Sequence, residues 1–129
     1  MKSLRLLFLC LILIMIGCAS FADIRQSEPI KTLSIDGQAP RNIANCSLYE
    51  LKTENGLSPI FVEKDGSCFI MLKGDPDFGY AYNFGELSFK PQGKGTLIEL
   101  RTSTPGSWAK DQIWSSVIKC AAPQNSPGK

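Results

Sequence analysis

The opening stretch constrains the fold more than any other part of the chain, because it is the part that a folded domain cannot use. Lys2 and Arg5 are followed by an unbroken apolar run from Leu6 to Ile16. A positive start followed by an apolar core of this length has the form of an export signal, and it is short for a bilayer span. The foldable chain is therefore expected downstream of it. Its cysteines are expected to meet an oxidising compartment, where they pair.

Two processing points compete. Ile14-Met15-Ile16-Gly17-Cys18 has the order of a bacterial lipobox: apolar residues, a small residue, then the cysteine whose sulfur receives a diacylglycerol. Met15 stands where leucine is usual, but Gly17 and the position of Cys18 at the end of the apolar core both fit. This reading takes residues 1–17 as the signal and Cys18 as the lipidation site, and it is the preferred one. The alternative is the small-x-small site Ser20-Phe21-Ala22, with cleavage after residue 22 and Asp23 as the new N-terminus. The two give different molecules. An acylated Cys18 contributes about 0.8 kcal/mol per buried methylene, and several chains together hold a protein on a membrane. Ala19 offers no acidic inner-membrane retention signal, so the anchored form is expected on the outer membrane, facing the periplasm. The form cut after Ala22 would be soluble, periplasmic or secreted.

Charge and composition narrow the function. Removing Lys2 and Arg5 from the 14 basic residues leaves 12 against 12 acidic ones, so the mature chain is formally neutral. Nucleic-acid binding needs a basic patch, and no Lys/Arg cluster stands in the sequence. The chain has no histidine, which removes Ser-His-Asp and Cys-His nucleophile activation and the commonest zinc and copper ligand sets. No metal or cofactor is expected, and the chain is read as a non-enzyme.

The expected fold is α+β: a single small domain, with an antiparallel sheet of 4–5 strands and an N-terminal and a C-terminal helix on one face. Residues 18–38 are mixed and polar and read as a tether or irregular arm, with a short edge strand at Leu33 to Ile35. The domain is placed at 39–122 and a flexible tail at 123–129. Pro40 suits a first helical position, and Ile43, Ala44, Leu48 and Leu51 form the stripe of the first helix, which Asn55-Gly56 should end. Lys64-Asp65-Gly66-Ser67 is a hairpin turn between a strand around Ile60 and Val62 and an inner strand, Cys68 to Leu72. Asp75-Pro76-Asp77 punctuates a further turn, its acidic residues lacking the downstream glycine and glutamate of a calcium loop. Tyr80, Tyr82 and Phe84 share one face, but Leu87 and Phe89 resume it three residues later rather than two. A period-two strand makes that step only through a bulge, expected at Gly85, or through a tight turn at residues 83–86; the bulge is preferred. Gly93-Lys94-Gly95-Thr96 reads as a hairpin turn, since Gly95 breaks the Lys-Thr step of a phosphate loop. It leads into a strand with Thr96, Ile98 and Leu100 on one side and Leu97, Glu99 and Arg101 on the other. The last helix has Ser107 as its cap and Ala109, Ile113, Val117 and Cys120 on its apolar stripe.

Three cysteines remain: Cys46, Cys68 and Cys120. Two helices on one sheet face bring Cys46 and Cys120 within disulfide reach, with Cys68 a buried thiol in an inner strand. That pairing ranks first; 68–120 and 46–68 stay open, because connectivity is not readable from spacing.

The whole pattern resembles small envelope lipoproteins of Gram-negative bacteria. In these a cysteine-bearing helix precedes strands, a Gly-x-Gly-[Ser/Thr] turn leads into a strand ending in charge, and a Trp-containing helix ends in cysteine. The residues that carry the resemblance are Cys46, Gly93-Lys94-Gly95-Thr96, Glu99, Trp114 and Lys119-Cys120. It implies an address and a fold rather than a mechanism.

The function expected is that of an exported, lipid-anchored, non-catalytic binding or assembly module, held to the membrane through Cys18 and facing an unidentified envelope protein. The alternative is a periplasmic inhibitor or immunity-type protein that binds an enzyme or toxin. The contact surface is expected on the sheet face away from the helices or on an edge strand. Tyr80, Tyr82, Phe84 and Trp108 are the candidate binding residues, against the favoured reading that these rings are core. Glu63, Glu86, Glu99 and Asp111 are read as scattered surface carboxylates.

Overall fold

Two hydrophobic periods dictate the architecture. The computed structural model of the chain describes residues 20–53, 56–74, 83–103 and 109–123. In chain order they form α1 (Phe21–Gln26), β1 (Lys31–Ile35), α2 (Pro40–Lys52), β2 (Leu57–Lys64), β3 (Ser67–Gly74), β4 (Asn83–Gln92), β5 (Gly95–Thr102) and α3 (Ala109–Ala121). The sheet has the order β1-β5-β4-β3-β2, with every pair antiparallel. Strands β2 to β5 are a meander, and β1 closes the far edge on β5. Among the described residues no helix is long and apolar enough to cross a membrane.

Alternation along the strands sorts the side chains onto two faces. On the inner face β3 contributes Cys68, Ile70 and Leu72, β4 Leu87 and Phe89, and β5 Ile98 and Leu100, all buried. Helices α2 and α3 lie side by side over this face, burying Ile43, Ala44 and Leu51 from one and Ile113, Val117 and Cys120 from the other. This is the expected α+β arrangement. Pro40 takes the first turn of α2, where its missing N–H costs nothing. Trp114 packs half-buried against the core.

The turns follow the sequence chemistry. Asp65 and Gly66 both have positive φ, 53° and 74°, as a two-residue primed hairpin turn requires. In β4 the ladder runs Leu72 opposite Gly85 and then Lys73 opposite Asn83, so Phe84 is the inserted residue. The three-residue step is thus a bulge within one continuous strand. It lets Phe84 and Leu87 both reach the core. The backbone oxygen of Phe84 accepts from the Ser103 N–H at 2.9 Å. At Gly85 the chains approach so closely that a Cβ would collide with the Arg101 carbonyl oxygen.

In residues 18–38 the short edge strand expected at Leu33 to Ile35 is present, as part of β1, but a helix stands where an irregular arm was expected. Ser20 caps α1, its Oγ accepting from the Asp23 N–H while Asp23 accepts from the Ser20 N–H at 2.9 Å. This reciprocal cap holds the Asp23 carboxyl below its usual range. Strand β1 then pairs Leu33 with Ile98 and Ile35 with Thr96. The helix is only six residues long and exists by tertiary packing, with Ile24 its buried anchor. It lies on the opposite side of the sheet from α2 and α3, over β4 and β5. The fold therefore has three layers, not the two expected.

Candidate functional site

The disulfide is Cys46–Cys120, with Cα atoms 5.7 Å apart, so the first-ranked pairing is the one formed. It staples α2 to α3, and Lys119 adds an ion pair to Glu50 at 2.8 Å beside it. Beside the bridge lies an open cavity of about 520 Å³ lined by Asp36, Gln38 and Asn42. The Gln38 Nε2 is turned away from ligand work, donating to the Ala121 carbonyl at 3.0 Å. Cys68 is a free thiol in the core, and burial pushes its pKa up, which keeps it protonated and inert.

Of the candidate binding residues, Phe84 is core: it is buried beneath the helices and offers nothing to a partner. Tyr80, Tyr82 and Trp108 lie outside the described residues, as do Cys18 and Ser107. The large apolar side chains that are exposed among the described residues are Tyr49, Ile60 and Ile118. Tyr49 is 71% exposed on α2 and was not singled out by the sequence, because one aromatic on the polar side of a helix breaks no pattern.

The outer sheet face, expected to be the contact surface, is divided. Over β4 and β5 it is covered by α1 and filled with a charge network. Arg25 of α1 pairs with Glu86 at 2.6 Å, and the Glu86 side chain is only 2% exposed, so it is a buried carboxylate rather than the surface one expected. The reason is a partner outside its own strand: the arginine that covers it arrives from a helix. Next to it, Lys90 and Arg101 converge on Glu99 at 2.7 and 3.0 Å. Burial by itself would raise the Glu99 pKa, but the hydrogen bonds and charges of Arg101 and Lys90 outweigh it and hold the carboxyl below its usual range. Arg101 also donates to the Ser27 carbonyl at 2.9 Å, fastening the end of α1.

Over β2 and β3 the outer face carries Ile60, Val62, Phe69 and Met71. Register places Ile60 opposite Met71 and Val62 opposite Phe69. These four side chains stand outside the main core. Arg25 stacks over the Phe69 ring, 5.3 Å from its centre, and Lys73 lies 5.9 Å from the ring centre of Phe21. The outer edge of the sheet here is β2, blunted by Pro59.

The remaining two carboxylates named from the sequence are also engaged: Glu63 with Arg41, and Asp111 with Lys31 at 3.7 Å. Among the described residues no three acidic or cysteine side chains gather as a metal site. No family model, curated protein or solved structure matches the chain.

Proposed function

We propose that this chain is an exported, lipid-anchored, non-catalytic envelope protein, a binding or assembly module held to the outer membrane through an acylated Cys18 and presented to another envelope protein in the periplasm. The observation that carries the anchored form is the start of α1. Ser20 and Phe21 belong to the fold, one as the helix cap and the other as the ring beside Lys73. Processing before Cys18 keeps both. Cleavage after Ala22 would delete both and leave Asp23 without its reciprocal partner.

The non-catalytic reading is supported by the carboxylates. Those in ion pairs each face a cation rather than one another across a cleft, whereas acid–base hydrolysis needs two facing carboxyl groups. Mass spectrometry of the mature N-terminus tests the anchor: the expected species begins at a triacylated Cys18, and a free Asp23 amine refutes it. Crosslinking in intact envelopes tests the role. An envelope protein trapped through the domain supports assembly, whereas a single stoichiometric enzyme would make the protein an inhibitor instead.

A further inference from the structure

The geometry points to the outer face of β2 and β3 as a surface that rests on the anionic bilayer holding the acyl chains, an inference that builds on the lipid-anchored reading. Only Ala19 separates Cys18 from Ser20. At no more than about 3.6 Å per residue, the acylated cysteine lies within about 7 Å of the helix cap. That cap opens α1, which lies on the outer side of the sheet with Phe21 against Lys73 of β3. The anchor therefore leaves the domain on the outer side, and with so short a link the domain cannot turn its helical side to the lipid without undoing α1.

The surface next to that exit has the composition an interface with lipid needs. Ile60, Val62, Phe69 and Met71 form a two-by-two apolar block in register across β2 and β3, and Ile60 is 38% exposed. Lys64 and Lys73 stand on the same face at the ends of β2 and β3. Among the described residues neither is in an ion pair, whereas Lys31, Arg41 and Lys119 on the helical side are each paired with a carboxylate. An apolar block with a lysine at each end, neither in an ion pair among the described residues, matches acyl–headgroup depth and phosphate charge together. The sequence could not disclose this patch. Its lysines are scattered along the chain, and only the register collects them. Seated this way, the protein turns α2, α3 and the exposed Tyr49 toward the periplasm.

The test is amine-reactive labelling of the mature acylated protein, read lysine by lysine by mass spectrometry, in vesicles of phosphatidylcholine and phosphatidylglycerol. The comparison is the same protein in vesicles of phosphatidylcholine alone. Lys64 and Lys73 should label about fivefold more slowly each in the anionic vesicles, the factor expected for one lysine near an anionic surface. Lys52 and Lys119, on the helical side, should label equally in both. Equal rates at all four, or protection at Lys52 and Lys119 instead, overturn the inference. The variant Lys64→Glu/Lys73→Glu changes only exposed residues and should abolish salt-sensitive protection of Met71 from aqueous oxidant; unchanged protection also overturns it. The two readings fail separately: a free Asp23 N-terminus removes both, while an acylated Cys18 with uniform labelling removes this one alone.

Discussion

Replacing both bridged cysteines, Cys46→Ala/Cys120→Ala, isolates the contribution of the staple between α2 and α3. The bridged residues are 74 apart in sequence. Loop-closure entropy for a loop of that length amounts to about 15 cal/mol/K, or about 4.5 kcal/mol at 25 °C, removed from the unfolded ensemble. Domains of roughly 100 residues have total stabilities on the order of 5–15 kcal/mol, so the bridge is a third or more of the total. Dividing by an unfolding entropy of about 0.21 kcal/mol/K for such a length gives a fall in melting temperature of about 20 °C. The native state should lose little else, because alanine keeps the helix and Lys119–Glu50 still joins the two helices. Urea titration of the wild type, oxidised and reduced, beside the double variant should show the last two coinciding at lower midpoint. Their slope should be slightly steeper, since an uncrosslinked unfolded chain exposes more surface. A loss under about 1.5 kcal/mol would refute the argument, because it would mean the loop is already closed by structure persisting in the unfolded chain.

Other variants test the outer layer and the core. Arg25→Ala leaves the Glu86 carboxylate without its ion-pair partner; the full cost of breaking a buried pair is about 3–5 kcal/mol, reduced here to about 2 because water reaches the half-exposed arginine side. In a double-mutant cycle with Glu86→Gln most of that loss should disappear, and additive losses would refute the coupling. Ser47 is fully buried with an unpartnered Oγ, so Ser47→Ala should raise stability by about 0.5–1.5 kcal/mol in chemical denaturation. The lowered pKa of Glu99 means that its stabilisation is complete above the ordinary carboxylate pKa of 4.5 and fades as pH falls through the lower folded value. The wild type should therefore lose more stability between about pH 5 and pH 3 than Glu99→Gln does, as followed by thermal melts across that range.

What the sequence made legible was local or strongly periodic. The Asp65-Gly66 turn, the stripes of α2 and α3 and the outward charges of β5 each rest on chemistry within a few residues. Even the bulge showed itself, expected at Gly85 and found one residue earlier at Phe84, because a three-residue step in a two-residue period has few physical solutions. The disulfide followed once two helices were placed on one face. What stayed hidden was non-local. α1 has fewer than two turns and a single buried residue, too little for a periodic signal, although Ser20-x-x-Asp23 did carry its capping chemistry. Glu86 looked like surface because its partner Arg25 is 61 positions away. The candidate row Tyr80, Tyr82, Phe84 gave one answer, Phe84 in the core, where the bulge turns it. The outer patch of β2 and β3 needed the strand register to become visible at all.

The far edge of the sheet carries a consequence for how the protein is made. β1 leaves any ribosome or translocation pore well before its mate β5, which emerges some 60 residues later, with Ile35 waiting for Thr96. Until they meet, a growing chain holds an orphan strand and, once the meander has assembled, an open ladder along β5. Completion from within the same chain is then in competition with completion by a strand from another, so crowding at the exit site should favour swapped assemblies over monomers.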